Sequence, residues 1–512
     1  MLRQLWQCLF LEHGPVGTEQ CWKRRARDSQ VAILRWPTRG LWNHLRNSWC
    51  RRRGCLGLLL PIFCFPIIFP STCRAVTLTT LCSFSGTNGS PWSLIQGADG
   101  NFYGITASGG SGSGTVFRVT PDGVLTTLVS FNGTNGANPR SVVQGTNGDF
   151  YGTTQYGGSD NLGTVFEMAP DGVLTTLVSF NGFNGANPTS GFVLGKDGNF
   201  YGTTDFGGAY EGTCTGCTSP QGLGTIFQMT PQGAFTTLAS FDGTNGCEPV
   251  NVIEGADGNF YGSAYSSGTN FQGYGSVFRM TPEGAITTLW SFNGANSGPC
   301  LFGIIQAADS SLWGTTDGGA LLGTVDTVFR VATNGDETTL FSFNGINGAL
   351  PRRLVQGSDL NLYGVTGAGG IGYAGPYSGD GTIFSIDPNG IFTTVVFFNG
   401  TNGSNPDALL QGSDGYFYGT TLSGGAGSAG TVFRFTLPLA PVFRTVTEAP
   451  GGINFTWSAV SGQVYQVEYK IDSHQANWSD LGSQIMATNG IAAASDTTGP
   501  DPQRFYRVRL VP

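Results

Sequence analysis

Imidazole is nearly absent from this chain. His13, His44 and His474 are the three histidines among 512 residues, and none falls between residues 76 and 440. Across that span no Ser-His or Cys-His pair is available to activate a nucleophile. Histidine-based zinc sites fail for the same reason. Carboxylates are plentiful, with 33 Asp and Glu in all, and two well-placed carboxylates suffice for glycoside hydrolysis. The recurring acidic motif, however, is Asp-Gly-Asn, at Asp99, Asp197 and Asp257. It lacks the alternating oxygen ligands and distal Glu of a calcium loop, whereas Asp-Gly is a tight-turn sequence. Hairpin turns are therefore expected there, with no metal and no cofactor.

Side chains suited to recognition are better represented. Arg140, Asp205, Tyr210, Glu211, Asp317, Arg352, Arg353, Tyr373, Tyr377 and Asp380 combine guanidinium, carboxylate and aromatic groups. They are candidate ligand-binding residues for a sugar or a peptide, because they lie in connections and in loops of variable length. Five cysteines follow residue 75. Cys214-Thr-Gly-Cys217 is expected to close a local bridge within the longest loop, and Cys247 with Cys300 a second. Cys82 is then left as a buried free thiol.

The elements that hold these residues come from a repeat. Asn101-Phe102-Tyr103-Gly104 recurs with its aromatic third position at Tyr151, Tyr201, Tyr261, Trp313, Tyr363 and Tyr418, about 52 residues apart. Gly-Thr-Val-Phe or a close variant follows each copy, and a Thr-Thr-Leu-x-Ser-Phe-Asn-Gly segment follows the first six, the last of these departing to Thr-Thr-Val-Val-Phe-Phe before Asn399-Gly400. Each unit reads as four short strands: in the first, Ser93–Gln96, Phe102–Thr106, Thr115–Thr120 and Val124–Phe131. Asp-Gly and Pro-Asp-Gly turns join them. Neighbouring apolar residues such as Phe102 and Tyr103 point to opposite faces of a strand, so each sheet must be covered on both sides. Radial stacking meets that demand, and the expected fold is an all-β, seven-bladed β-propeller over 76–436. Only six Thr-Thr-Leu strands follow a copy; the seventh, 79–84, precedes the first and is expected to close the last blade, at 407–435. The 81 glycines thus mark turns rather than low complexity.

The strings Asp197-Gly-Asn-Phe-Tyr-Gly-Thr-Thr204, Gly163-Thr-Val-Phe166, Pro170-Asp-Gly172 and Leu174-Thr-Thr-Leu177 resemble the GloVer-type tandem repeats of exported bacterial proteins. The resemblance covers about 76–436 and implies export but no particular activity. The repeat length and the Gly-Gly pairs are also similar to kelch blades. The Ser-x-Asp-x-Gly-x-Thr-Trp box of sialidase-like propellers is replaced by Thr-Pro-Asp-Gly. The leading expectation is therefore a non-catalytic propeller that binds a carbohydrate, peptide or surface partner through its long-loop face. A secreted polysaccharide hydrolase or lyase with paired carboxylates is the alternative, and a structural envelope protein the third.

Charge and chain ends agree with export. The net charge is -8, yet residues 1–75 hold 11 Arg and Lys23 against three acidic residues. The acidic remainder offers no basic stripe, so no nucleic-acid partner is expected. Arg51-Arg52-Arg53, an apolar run and Cys73-Arg74-Ala75 read as a signal peptide over 51–75. The run is too short and too proline-broken for a stable transmembrane span. Residues 1–50 read as a non-native or disordered N-terminal extension. After a linker at 437–441, residues 442–512 alternate as Ile453-Asn-Phe-Thr-Trp457, Val464–Tyr469 and Phe505–Leu510. They resemble a small fibronectin type III-like β-sandwich, with Trp457 in its core. A secreted or extracytoplasmic location follows from these readings.

Overall fold

The computed structural model describes residues 32–35 and 76–511, apart from 190, 211–221, 267–273, 294–301, 319–324, 376, 437–440, 442, 450–451, 460–462, 473–474, 476, 489 and 498–502. The expected signal peptide and most of the expected linker lie outside the described residues. Every regular element among the described residues is a strand. No helix among them is long and apolar enough to cross a membrane.

Seven antiparallel sheets follow one another along the chain. Sheet 1 runs Pro91–Gln96, Phe102–Thr106, Thr115–Val119, Leu125–Ser130, each strand pairing with the next. The first strands of sheets 2 to 7 begin at Ala137, Ala186, Cys247, Ile304, Ala349 and Ser404. In sheet 3 the first strand is split into Ala186–Pro188 and Val193–Leu194. Sheet 7 takes its fourth strand from the other end of the chain: Thr77–Ser83 pairs with Thr431–Thr436.

The repeated motif explains how the sheets stack. Phe and Tyr of Asn-Phe-Tyr-Gly face opposite sides, so each Tyr meets the Phe of the next sheet. Ring centroids lie 4.1 Å apart for Tyr103–Phe150, 4.3 Å for Tyr151–Phe200, 4.4 Å for Tyr201–Phe260 and 4.5 Å for Tyr363–Phe417. Phe102 packs on Tyr418 at 4.1 Å, joining sheet 1 to sheet 7. Where the Phe is replaced by Leu312 or Leu362, Tyr261 and Trp313 pack on the leucine instead. Such pairs are worth about 0.5–1.5 kcal/mol each beyond the area they bury. The glycine that follows is required by close approach: a Cβ on Gly104 would lie 2.3 Å from both Phe117 and the Ser93 carbonyl. The threonine two residues beyond that glycine pairs a buried hydroxyl with the next strand, as in Thr106–Thr115 at 2.8 Å and Thr316–Thr327 at 2.7 Å.

A second set of bonds ties the turns of neighbouring sheets. The Ala98 amide donates to Gln144 Oε1, and Ala256 to Gln306, Ala308 to Gln356 and Ser358 to Gln411, at 2.7–3.0 Å. Lys196 uses Glu254 in the same way. Ser413 donates to Gln96 at 2.8 Å, returning the series from sheet 7 to sheet 1. Between sheets 2 and 3 the acceptor is missing, because Leu194 stands in the glutamine position.

The C-terminal residues form two further sheets. Phe443–Ala449, Gly452–Ser458 and Ile491–Asp496 make one; Val464–Lys470, Ser479–Met486 and Gln503–Val511 make the other, to which Ala32–Arg35 adds an edge strand. Trp457 is fully buried between them with Tyr465 and Tyr506. This unit meets the turns of sheets 6 and 7, where Arg444 donates to the Ser358 carbonyl and Gly490 to that of Ser413.

Candidate functional site

One irregularity recurs in the first strands. Residues Asn138, Asn187, Glu248, Leu350 and Asn405 have φ of 52–56°, and each precedes a proline. The register then slips just after Pro91, Pro139, Pro249, Pro351 and Pro406. A β-bulge pushes a residue out of the ladder and re-aims its side chain. The residues so placed are Trp92, Arg140, Val250, Arg352–Arg353 and Asp407–Ala408. With the exception of Arg352, they line one cavity of about 620 Å³ between the first strands of sheets 1 to 4, 6 and 7, to which Phe302, just before the first strand of sheet 5, also contributes. A second repeat position, just after the Thr-Thr pair, contributes Gln155, Asp205 and Tyr265.

The charged groups of this cavity divide into two clusters. Asp407 faces Arg352, Arg353 and Arg140. Arg352 Nε lies 3.7 Å from Asp407 Oδ1, its Nη2 donates to Asn405 Oδ1 at 3.2 Å, and its guanidinium lies 4.5 Å over Phe302. Arg353 lines the cavity with an exposed side chain. On sheets 3 and 4, Asp205 faces Glu248. Burial first, then repulsion from Glu248, push the Asp205 carboxyl up to about 7, against the attraction of Arg140. Arg140 is held between the clusters: both Nε and Nη2 donate to Gln155 Oε1, and its guanidinium lies 5.2 Å over Trp92.

A neighbouring cavity of about 570 Å³ opens between sheets 5, 6 and 7 and takes in Asp317, Arg352 and Tyr377. Six candidates named from the sequence are thus gathered in two adjoining cavities: Arg140, Asp205 and Arg353 in the first, Asp317, Arg352 and Tyr377 in the second. Three others stand apart. Tyr210 is exposed, Tyr373 lays its ring against Gly345, and the Asp380 carboxylate lies near Gly400, its carbonyl accepting from Asn405 N. Glu211, Cys214, Cys217 and Cys300 lie outside the described residues. Cys247 is disulfide-bonded; Cys82 is free, and burial pushes its thiol up to about 11.

Sequence reasoning passed over Trp92, Gln155, Glu248 and Asp407. The signal was present: Pro406-Asp407 occupies the repeat position of Pro139-Arg140 and Pro351-Arg352.

The recurring motifs that build these sheets match one family model, the Gloeobacter/Verrucomicrobia repeat, over residues 67–220 and 210–377. The chain belongs to the Gloeobacter/Verrucomicrobia repeat family. No curated protein matches it. Among solved structures it is similar to a gluconolactonase from Xanthomonas campestris, at 12% identity and TM-score 0.38, covering 76% of this chain and all of the other. It is also similar to a puromycin hydrolase, at 15% identity and TM-score 0.45, covering 74% of this chain and 60% of the other. PorZ, a surface component of the type-IX secretion system of Porphyromonas gingivalis, is similar at 12% identity and TM-score 0.43, covering 81% of this chain and 56% of the other. In this Gloeobacter/Verrucomicrobia repeat protein the copies agree in their Phe-Tyr-Gly and Thr-Val-Phe strings. They differ at the two positions that supply the cavity residues: Trp, Arg, Thr, Val, Arg and Asp follow the proline of the first strand, and Ala, Gln, Asp, Tyr, Asp, Gly and Leu follow the Thr-Thr position.

Proposed function

We propose that the seven sheets are the blades of one closed propeller, and that this propeller is an exported binding protein holding a small polar ligand, a sugar or a peptide, in its axial cavity. Closure is supported by the bond from Ser413 to Gln96 and by the strand that Thr77–Ser83 lends to sheet 7. The C-terminal unit is read as a fibronectin type III-like sandwich, supported by its two sheets around Trp457. It rests against the turn end and so acts as a spacer or accessory module. The connections between second and third strands lie at the other end, beside the inter-sheet connections: Gly110 N donates to Thr87 O and, in the longer loop of sheet 6, Gly370 N to Gly345 O.

A single observation carries the binding reading. The repeats are alike where they support one another and unlike where they face the cavity. A volume of about 620 Å³ falls within the ordinary range for small-ligand sites. Calorimetric titration with short oligosaccharides and peptides tests it, alongside the cavity-filling variant Val250→Trp and the side-chain deletion Arg140→Ala. Both variants should lose binding while keeping the wild-type melting temperature. Binding that survives Val250→Trp in a folded protein would place the ligand elsewhere.

One observation favours a second reading. A carboxyl held near pH 7 beside a second carboxylate, as Asp205 is beside Glu248, suits a general acid in polysaccharide cleavage. Release of reducing ends from the same oligosaccharides, abolished by Asp205→Asn, is the outcome that would establish it.

A further inference from the structure

We propose that the sugar or peptide held in the axial cavity carries a single alkyl chain, its head in a polar collar and its tail among apolar side chains nearer the turn end. This rests on the reading of the cavity as a ligand site and adds the class of ligand. It follows from how the wall changes along the first strands. The polar side chains gather at the level of the bulges: Arg140, Gln155, Asp205, Glu248, Arg353 and Asp407. Past the serines that follow the bulge in sheets 1 and 2, Ser93 and Ser141, every described lining side chain is apolar. Ser141 already shares a hydrogen bond with Thr153 at 2.8 Å. Three residues along the strand from Arg140 and Trp92 stand Val143 and Ile95, about 10 Å deeper at the rise of a strand. With Val193, Leu194 and Leu409 they line this lower part, and none of the five is fully buried.

Sheet 3 departs furthest from the other copies in this lower part. Phe192 stands where they carry Leu, Val or Ile, and its ring stacks on Phe200 at 5.4 Å. Leu194 stands where they carry Gln or Glu, giving up the kind of bond that Gln144 and Gln306 make to the neighbouring turn. Both residues line the cavity. A wholly polar ligand would leave these walls to water or bury its own polar groups without partners, and either is unfavourable. An alkyl tail instead removes apolar surface from water on both sides of the contact. The collar meets the head with groups already in place, since Gln155 and the Trp92 face hold Arg140. An apolar enclosure with a few polar groups that fix orientation is the usual plan of a small-molecule site.

The test titrates the purified protein with n-alkyl glucosides and N-acylglycines whose tails have four, six or eight carbons, all below their micellar concentrations. Each added pair of methylenes should tighten binding about tenfold, and the two series tell a glycolipid head from an acylated-peptide head. Leu194→Gln should weaken the eight-carbon probes about tenfold and leave the four-carbon probes unchanged, because the shorter tail ends above it. Val250→Trp should abolish binding of both, with melting curves showing that each variant is folded. Affinity that does not rise with tail length, or no binding of either series, would overturn the alkyl chain; short unmodified sugars or peptides that still bind would leave the cavity reading standing. Tail-dependent binding unchanged by Val250→Trp would instead sink the cavity reading itself.

Discussion

Two groups of aspartates in this fold behave in opposite ways. At the turn end, Asp99, Asp197 and Asp257 each sit in a hairpin that supplies its own donors. Asp257 accepts from the Asn259 amide, from Asn259 Nδ2 and from Tyr261 Oη. Burial alone would push its carboxyl up, but these bonds outweigh that effect and hold it below the ordinary value. In the cavity, burial raises Asp205 and Asp407 although arginines oppose the rise. Local donors make the first kind of aspartate part of the scaffold. Their scarcity leaves the second kind poised for something the fold does not itself provide.

The largest effect should come from breaking a turn. Asp257→Ala leaves the Tyr261 hydroxyl and the Asn259 amide without their acceptor and should cost about 2 kcal/mol in urea denaturation. Asp205→Asn should leave stability at pH 8 unchanged or raise it. An equal loss from both substitutions would erase the distinction.

The pH dependence sharpens the same contrast. A turn carboxyl lowered on folding stabilises above the unfolded value of about 3.9 and loses that contribution as pH falls through the folded value. Asp205 has the opposite sign. Its folded form holds the proton more tightly, so its burial costs stability as pH rises from about 4 towards its folded value of about 7. The groups facing it around the cavity are Arg140, Glu248, Tyr265, Arg353 and Asp407. Melting curves between pH 4 and 8 should show a decline that is flattened in Asp205→Asn and kept in Asp257→Asn.

Smaller effects test the shared frame. Sheet 4 has Ala264 where other copies have Thr, and the Ser276 hydroxyl opposite it has no partner. Ala264→Thr should gain about 1 kcal/mol by restoring the hydroxyl pair. Leu194→Gln supplies the acceptor missing between sheets 2 and 3 and should gain about 0.5 kcal/mol. Thermal melts of the two variants and of their combination check both values.

The frame was readable because it is repeated. Phe-Tyr-Gly, Thr-Thr and Gly-Thr-Val-Phe recur since each solves the same stacking problem at every sheet interface, so self-comparison finds them. The strands of the first unit read as 93–96 and 124–131 and run over 91–96 and 125–130. The differences sit at the bulge and at the turn, where alternation of faces breaks down. The site was harder to read for the converse reason. Its residues lie at repeat positions with no shared identity, so a search for recurring strings discards Trp92, Glu248 and Asp407. Proline offers a fixed point beside them, but nothing in the sequence announces that the residue after it leaves the ladder. Tyr373 is a candidate by its loop alone; its ring lies against Gly345 and stays partly exposed, outside both cavities.

The strand Thr77–Ser83 has a consequence in time. Its partner, Thr431–Thr436, is made about 350 residues later, on the order of half a minute at ordinary rates of synthesis. Throughout that interval this strand carries two open edges, the condition under which chains stick to one another. Its sequence, Thr-Leu-Thr-Thr-Leu-Cys-Ser, carries the same Leu-Thr-Thr-Leu as the outer strands Leu125–Ser130 and Leu174–Ser179, which pair as soon as they are made. The strand that must wait therefore relies on the threonines it shares with its counterparts to keep it wetted until its partner arrives.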